Sequence, residues 1–262
     1  MSWTLAITGK GGVGKTTLAA LAVRWLSENA LGPVLAVDAD PNTCLDALLG
    51  VQAASAVGVI REEAKQIIQD QATSTGGMGK QQLLEMKIQQ SLVEHDDFDL
   101  IAMGRPEGPG CYCYANNVLG AVLRRLVDNY PSIVIDNEAG LENLSRRIVH
   151  HVDQLLFVTD PSARGLMTAR RLYNLALEMA IKVDSVGVVV NRARDDSCLD
   201  RARALFADTP VAVIGALPED EVLGARDRKG ESIQGLPTEN AVFRAASDLF
   251  AAMRKLNESR SR

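Results

Sequence analysis

Short apolar runs alternate along the chain with stretches whose apolar residues recur every three or four positions. Seven runs read as strands: Trp3–Thr8, Val34–Asp38, Leu100–Met103, Ile133–Asp136, Leu155–Thr159, Val186–Asn191 and Val211–Leu217. They are apolar at nearly consecutive positions, the pattern of strands covered on both faces. Helices are predicted over Thr16–Asn29, Asn116–Asp128, Leu141–His150, Ser162–Met179, Leu199–Phe206 and Val242–Leu256. In Asn116–Asp128, the residues Val118, Leu119, Val122, Leu123 and Leu126 mark a single apolar face. Strand and helix patterns taken in turn predict an α/β protein with a mostly parallel sheet of seven or eight strands and helices on both faces.

The interval Val51–Asp97 breaks this rhythm. It is polar, with Gly76, Gly77 and Gly79 near its centre and helix-forming stretches on either side. It reads as an insertion at about 51–97 that covers part of the sheet or contacts a partner, within a single domain spanning 1–262, and the tail Asn257–Arg262 reads as unstructured. Composition narrows the function classes. Aromatic residues are only 4%, too few for a base-stacking nucleic-acid binder, and 28 basic against 33 acidic residues leave no general basic field for DNA or anionic lipid. No apolar run approaches the ~18 residues that span a bilayer, and no secretory leader opens the chain. Four cysteines in 262 residues do not form a disulfide scaffold. The expectation is a cytoplasmic protein with reduced thiols and no nucleic-acid or membrane partner.

Gly9-Lys10-Gly11-Gly12-Val13-Gly14-Lys15-Thr16 follows the first strand and opens the first helix, satisfying G-x-x-x-x-G-K-[ST]. Its glycines let backbone N–H groups turn towards a phosphate, and the helix N-terminus adds positive potential. Lys15 is placed to neutralise β- and γ-phosphates, and the Thr16 hydroxyl to ligate Mg²⁺. Gly9-x-Gly11-x-x-Gly14 also fits a dinucleotide fingerprint, with Asp38 as its acid. Lys15-Thr16 decides for a nucleoside triphosphate, because a pyrophosphate fingerprint needs neither a lysine nor a metal-ligating hydroxyl there.

Acids close the neighbouring strands. Asp38 and Asp40 follow the second, where either could instead serve a cap or turn before Pro41. Asp136 ends Ile133-Val134-Ile135-Asp136 and fits the second acid that holds Mg²⁺ through water. Asn137 to Gly140 then reads as a switch sensitive to the γ-phosphate, with Glu138 either bearing on hydrolysis or simply solvated.

The loop Gly104–Tyr114 carries Cys111-Tyr112-Cys113, which phosphate chemistry does not require. On an extended segment both sulfurs of a C-x-C point to one side, and two thiolates are half of a tetrahedral soft-metal site. Two buried small side chains, or a strained redox pair, remain open on spacing alone. Cys44 lies beside the phosphate region and Cys198 is isolated. His95, His150 and His151 show no ligand spacing in sequence.

The phosphate loop, extended to Thr17 and with Lys10 inside it, resembles the deviant loop of the ATPase group containing division-site, plasmid-partition and nitrogenase iron proteins. The run Gly104–Asn117 joined to it is similar to the CooC-type ATPases that mature carbon monoxide dehydrogenase. The resemblance spans Thr4 to Leu256. It implies a MinD-like fold and a homodimer in which Lys10 reaches the partner's nucleotide. It implies that Gly11, Gly12, Val13, Gly14, Lys15, Thr16 and Thr17 hold ATP or ADP with Mg²⁺. Asp40 would orient the attacking water and Asp38 sit near the metal or its waters. Asn191 would read the adenine, or else form a strand-end turn, with Leu217 and Pro218 framing the base. Lys10, Lys15, Asp40 and Asp136 are thus the expected catalytic set. Cys111 and Cys113 of two chains would enclose one Ni²⁺ or Zn²⁺ at the dimer interface, for delivery to apo carbon monoxide dehydrogenase or, in a sister subgroup, acetyl-CoA synthase. Rival readings are a MinD/ParA-like spatial regulator and an iron–sulfur electron carrier. The carrier family uses one cysteine from each of two separate loops, unlike the close pair here. The apolar face of the last helix, Val242, Ala245, Leu249, Phe250, Met253 and Leu256, is expected to pack on the sheet rather than on a membrane.

Overall fold

A computed structural model describes residues 2–42, 44–53, 55–60, 63, 80–104, 113–137, 141 and 151–260, without the side chains of 80–81, 113–119 and 258–260. In chain order its elements begin with β1 (Trp3–Gly9), α1 (Lys15–Glu28), β2 (Val34–Asp38), α2 (Leu45–Leu49), α3 (Lys80–Ser91), β3 (Val93–Glu94), β4 (Asp99–Ala102), α4 (Cys113–Val127) and β5 (Ser132–Asp136). They continue with β6 (Val152–Thr159), α5 (Ala163–Glu178), β7 (Val183–Ala193), α6 (Ser197–Phe206), β8 (Ala212–Pro218), α7 (Glu221–Lys229), a 3₁₀ turn (Ile233–Gly235) and α8 (Ala241–Arg260).

The sheet has eight strands in the order β3-β4-β2-β5-β1-β6-β7-β8, and every pairing is parallel except β3 with β4. Alternate side chains of each strand feed opposite cores. Leu5, Ile7, Leu156 and Val158 meet Leu18, Leu21 and Trp25 of α1 and Phe243, Phe250 and Met253 of α8. Ala6, Leu35, Leu155 and Phe157 meet Leu84 and Ile88 of α3, Val122 and Leu123 of α4 and Tyr173 of α5. Both faces are therefore covered, which explains the continuous apolar runs.

The segment expected to be a polar insertion sends apolar anchors inward. Val57, Ile60, Leu84 and Ile88 are all buried in the second core. α8 corrects the reading of the tail: the helix runs on through Asn257 to Arg260, held by buried Met253 and by an Asn257 amide 3.5 Å from Asp153. On its apolar face Val242, Phe250 and Met253 are buried, Ala245 and Leu249 half-buried, and only Leu256 is exposed, so the face packs on the sheet as expected. Beyond Leu141, the predicted helix Leu141–His150 lies outside the described residues.

Parallel register places the ends of β1, β2 and β5 side by side. Ile7 pairs with Asp136, and Asp38 pairs with Asp136. The phosphate loop and two acids thus share the carboxyl edge of the sheet, where open α/β sheets bind ligands.

Candidate nucleotide-binding site

The phosphate loop is shaped by close backbone approach. A Cβ at Gly9 would sit 2.2 Å from the Val158 carbonyl oxygen, and one at Gly14 would sit 2.3 Å from Asn191 Nδ2. Gly14, in the left-handed region at φ 94°, caps α1 without a side-chain hydrogen bond, and the first turn holds no acid. The positive end of α1 therefore faces the loop unneutralised. Lys15 is buried, with Nζ donating to the Lys10 carbonyl at 3.3 Å, whereas the Lys10 side chain is exposed. A cavity of about 530 Å³ opens over this loop, lined by Gly12, Lys15, Thr16, Thr17, Asp40 and Asn42 among others.

The acids below it differ in state. Asp38 is fully buried, and its two oxygens accept from the backbone N–H groups of Asp40 and Leu45, each at 3.0 Å. Burial raises its pKa and these two bonds oppose the rise. Asp38 thereby fixes the path of the loop that leads into α2. Asp40 lines the cavity and closes a turn, accepting from the Asn42 backbone N–H at 2.8 Å. Asp136 is buried, and neither of its oxygens makes a hydrogen bond of normal geometry. Its pKa is pushed up to about 7, chiefly by burial and then by Asp38 and Asp40, while the Thr16 hydroxyl and Lys15 pull it down. Asn137 pins this corner by donating from its backbone and side-chain nitrogens to the Ile7 carbonyl, both at 3.0 Å.

A buried carboxylate beside a threonine hydroxyl, with two further acids nearby, is a donor set of hard oxygens that suits Mg²⁺. The residues present fit that ion, and Thr16 and Asp136 are the ones that would hold it.

A second cavity of about 1120 Å³ adjoins the first and is lined by Asn191, Arg192, Arg194, Pro218, Glu219 and Asp220 among others. Asn191 Nδ2 donates to the Val13 carbonyl at 2.8 Å, and its Oδ1 accepts from the Arg192 backbone N–H at 2.9 Å. One amide hydrogen remains to donate to a base. Leu217 is buried in the core, so only its backbone can face a ligand, whereas Pro218 lines the cavity.

The structure therefore brings Lys15, Thr16, Asp40, Asn191 and Pro218 into the linings of two adjoining cavities, with Asp38 and Asp136 buried close by. Cys111, Glu138, Ala139 and Gly140 lie outside the described residues, and Cys113 is the first residue of α4. Sequence reasoning missed Arg192, Asn42 and Asp227, which also line these cavities; Asn42 had a signal, an acid two residues before it able to close a turn. Cys44 lines the smaller cavity, and partial desolvation together with Asp38 and Asp40 pushes its thiol pKa up.

At the opposite edge of the sheet, ligand atoms of His151, Asp153 and Asp184 lie within 4.8 Å of one another, a proximity that linear spacing could not show. Hydrogen bonding accounts for it. His151 meets Asp184 at 2.7 Å, and Asp153 accepts from the Thr4 backbone N–H at 2.7 Å, fastening β1 and the turns before β6 and β7.

Glycine loop, buried lysine, metal-suited acids and two adjoining cavities at the carboxyl edge of a parallel sheet define a phosphate-loop nucleotide-binding protein. Comparison with known proteins makes the assignment specific. Residues 4–233 match the CobQ/CobB/MinD/ParA nucleotide binding domain, and the chain belongs to that family. It is an ATPase of the MinD/ParA type. It is 39% identical over 247 residues to an uncharacterized ATP-binding protein of Methanocaldococcus jannaschii, covering 94% of this chain and 96% of that one. It is 29% identical over 240 residues to the carbon monoxide dehydrogenase accessory protein CooC of Rhodospirillum rubrum, covering 88% and 89%. Its fold matches that of the septum site-determining protein MinD of Pyrococcus horikoshii, solved with Mg-ADP, at a TM-score of 0.68 and 20% identity, covering 98% and 97%.

Proposed function

We propose that this ATPase is a dimeric, Mg²⁺-dependent metallochaperone for nickel insertion into the nickel–iron–sulfur cluster of carbon monoxide dehydrogenase. The observation that carries the proposal is the joining of two motifs in one chain. A phosphate loop with an extra lysine, Lys10, occurs in the same chain as a Cys111-x-Cys113 pair, whose second cysteine opens α4. The likeness to CooC over most of both chains supports it.

In this reading the Gly11–Thr17 backbone and Lys15 hold the phosphates. Thr16 and Asp136 would hold Mg²⁺, which would withdraw charge from the phosphoryl oxygens. Asp40 orients the attacking water, and Asp38 keeps Asp40 in place through the backbone. Asn191 positions the base. Lys10, exposed on the loop, extends to the partner's nucleotide and stabilises charge on the transferred phosphoryl group. ATP thereby draws two chains together, and Cys111 and Cys113 of each supply four soft ligands to one Ni²⁺ or Zn²⁺. Hydrolysis loosens the interface and releases the cargo to the client, in the cytoplasm. Acetyl-CoA synthase is the alternative client.

The test is metal analysis of the Cys111→Ala/Cys113→Ala protein. Loss of the ion bound per dimer is expected, and unchanged affinity would overturn the metal assignment. A second reading, a MinD/ParA-like spatial regulator, draws on the shared fold. Sedimentation with liposomes and ATP separates the two, because the packed apolar face of α8 predicts that the protein stays in the supernatant.

A further inference from the structure

We infer that Arg192 is a nucleotide-contacting residue, its guanidinium meeting the sugar–phosphate junction where the base cavity opens into the phosphate cavity. The inference rests on the nucleotide reading of this site and adds a residue to which no role has been given.

Three observations converge on it. The first is position. Thr17, Arg192 and Asp227 are the residues shared by the linings of the two cavities. A nucleotide with its base beside Asn191 and its terminal phosphates on Lys15 must pass between them. What lies at that neck is ribose and the first phosphate, because the loop amides and Lys15 take the outer ones.

The second is backbone geometry. β7 and β8 slip in register between Val190 and Ala193, and Arg192 sits in the slip at φ 57°. A bulge beside a site re-aims a side chain, and a non-glycine residue is held left-handed only where its surroundings fix it. Asn191 supplies that fixing by accepting from the Arg192 N–H while donating to Val13. The phosphate loop itself thus sets the direction of the arginine.

The third is the quality of its present partner. Arg192 is exposed, and Nη1 donates to the Gly12 carbonyl at 3.2 Å. Its neighbour Arg194 donates the hydrogen bond to Glu219 at 2.8 Å, and that carboxylate acts on Arg192 only through space. A neutral carbonyl is a weak match for a guanidinium, whose planar fork suits phosphate oxygens. An arriving nucleotide offers a better acceptor within the same reach.

The test separates the guanidinium from the strained backbone. Arg192→Gly removes the side chain while allowing the left-handed conformation, and Arg192→Lys keeps a positive charge without the fork. Binding of ADP and of adenosine is measured by calorimetry for both variants and for the unaltered protein. Loss of a charge-assisted contact predicts ADP binding weakened about tenfold in Arg192→Gly, with adenosine binding within twofold. Thermal stability without ligand should stay at or above that of the unaltered protein, and Arg192→Lys should recover part of the ADP affinity. ADP binding unchanged in both variants, or adenosine weakened as much as ADP, would overturn the inference. Should Arg192→Gly fail to fold, Arg192→Lys decides by the same comparison. Failure of the unaltered protein to bind ADP would instead strike the nucleotide reading itself.

Discussion

Among single residues, Asp136 carries a strong electrostatic signature. A carboxyl raised from 3.8 to about 7 binds a proton in the fold that it would lose in the unfolded chain between those pH values. Its contribution to stability is therefore greatest below about pH 4, falls as pH rises through 7, and is wholly lost above that. At 1.36 kcal/mol per pKa unit the rise corresponds to a loss on the order of 4 kcal/mol. Denaturant midpoints of Asp136→Asn and of the unaltered protein, taken from pH 4 to 8, should diverge as pH rises, with the variant the more stable at pH 8 yet inactive as an ATPase. Parallel curves would show that Asp136 is ordinarily ionised in the fold. Lys15→Ala should abolish ATP turnover without unfolding the chain, and retained activity would remove Lys15 from the mechanism. The acid and the lysine were legible in the sequence because strand end and phosphate loop announce themselves. Arg192 was not, because its direction comes from a bulge, and the bulge depends on how β7 and β8 pair.

Elements repeat this lesson. The central strands were legible because their apolar runs have strand length and alternate with longer stretches of helical period. α7, Glu221–Lys229, went unseen since none of its residues is buried and no apolar face marks it. Its signals were terminal ones: Asp220 accepts from the Leu223 N–H at 2.7 Å, and Gly230 closes it in the left-handed region. In the polar interval 51–97 the helix-forming stretch was legible but its buried face was not, because a few apolar anchors sufficed to bury Leu84 and Ile88 in a helix that is polar on average. α8 offers a direct test of which apolar residues hold the layers together. Phe250, 1% exposed and packed on Trp25, should cost about 3–5 kcal/mol when changed to Ala. Leu256, 59% exposed, should change stability by less than about 0.5 kcal/mol. Equal losses in chemical denaturation would mean that α8 packs by another face.

For the whole molecule, the arrangement concentrates acids on the carboxyl edge and leaves Lys10 exposed above them. Charge of that kind calls for a cation to complete the site, and the proposed function supplies Mg²⁺ within each chain and a lysine from the partner. Lys10→Ala should therefore bind nucleotide normally while failing to dimerise with ATP in light scattering; ATP-dependent dimers in that variant would assign the bridging to other residues. Dimerisation matters because one chain offers only two neighbouring thiols. The measurement that bears most directly on the metallochaperone proposal is native mass spectrometry with anaerobic metal analysis, run on the unaltered protein and on Cys111→Ala/Cys113→Ala, with and without ATP. A single nickel or zinc ion per pair of chains, enhanced by ATP and missing from the double variant, is the predicted result. An ion retained by the double variant, or metal carried by single chains regardless of ATP, would contradict it.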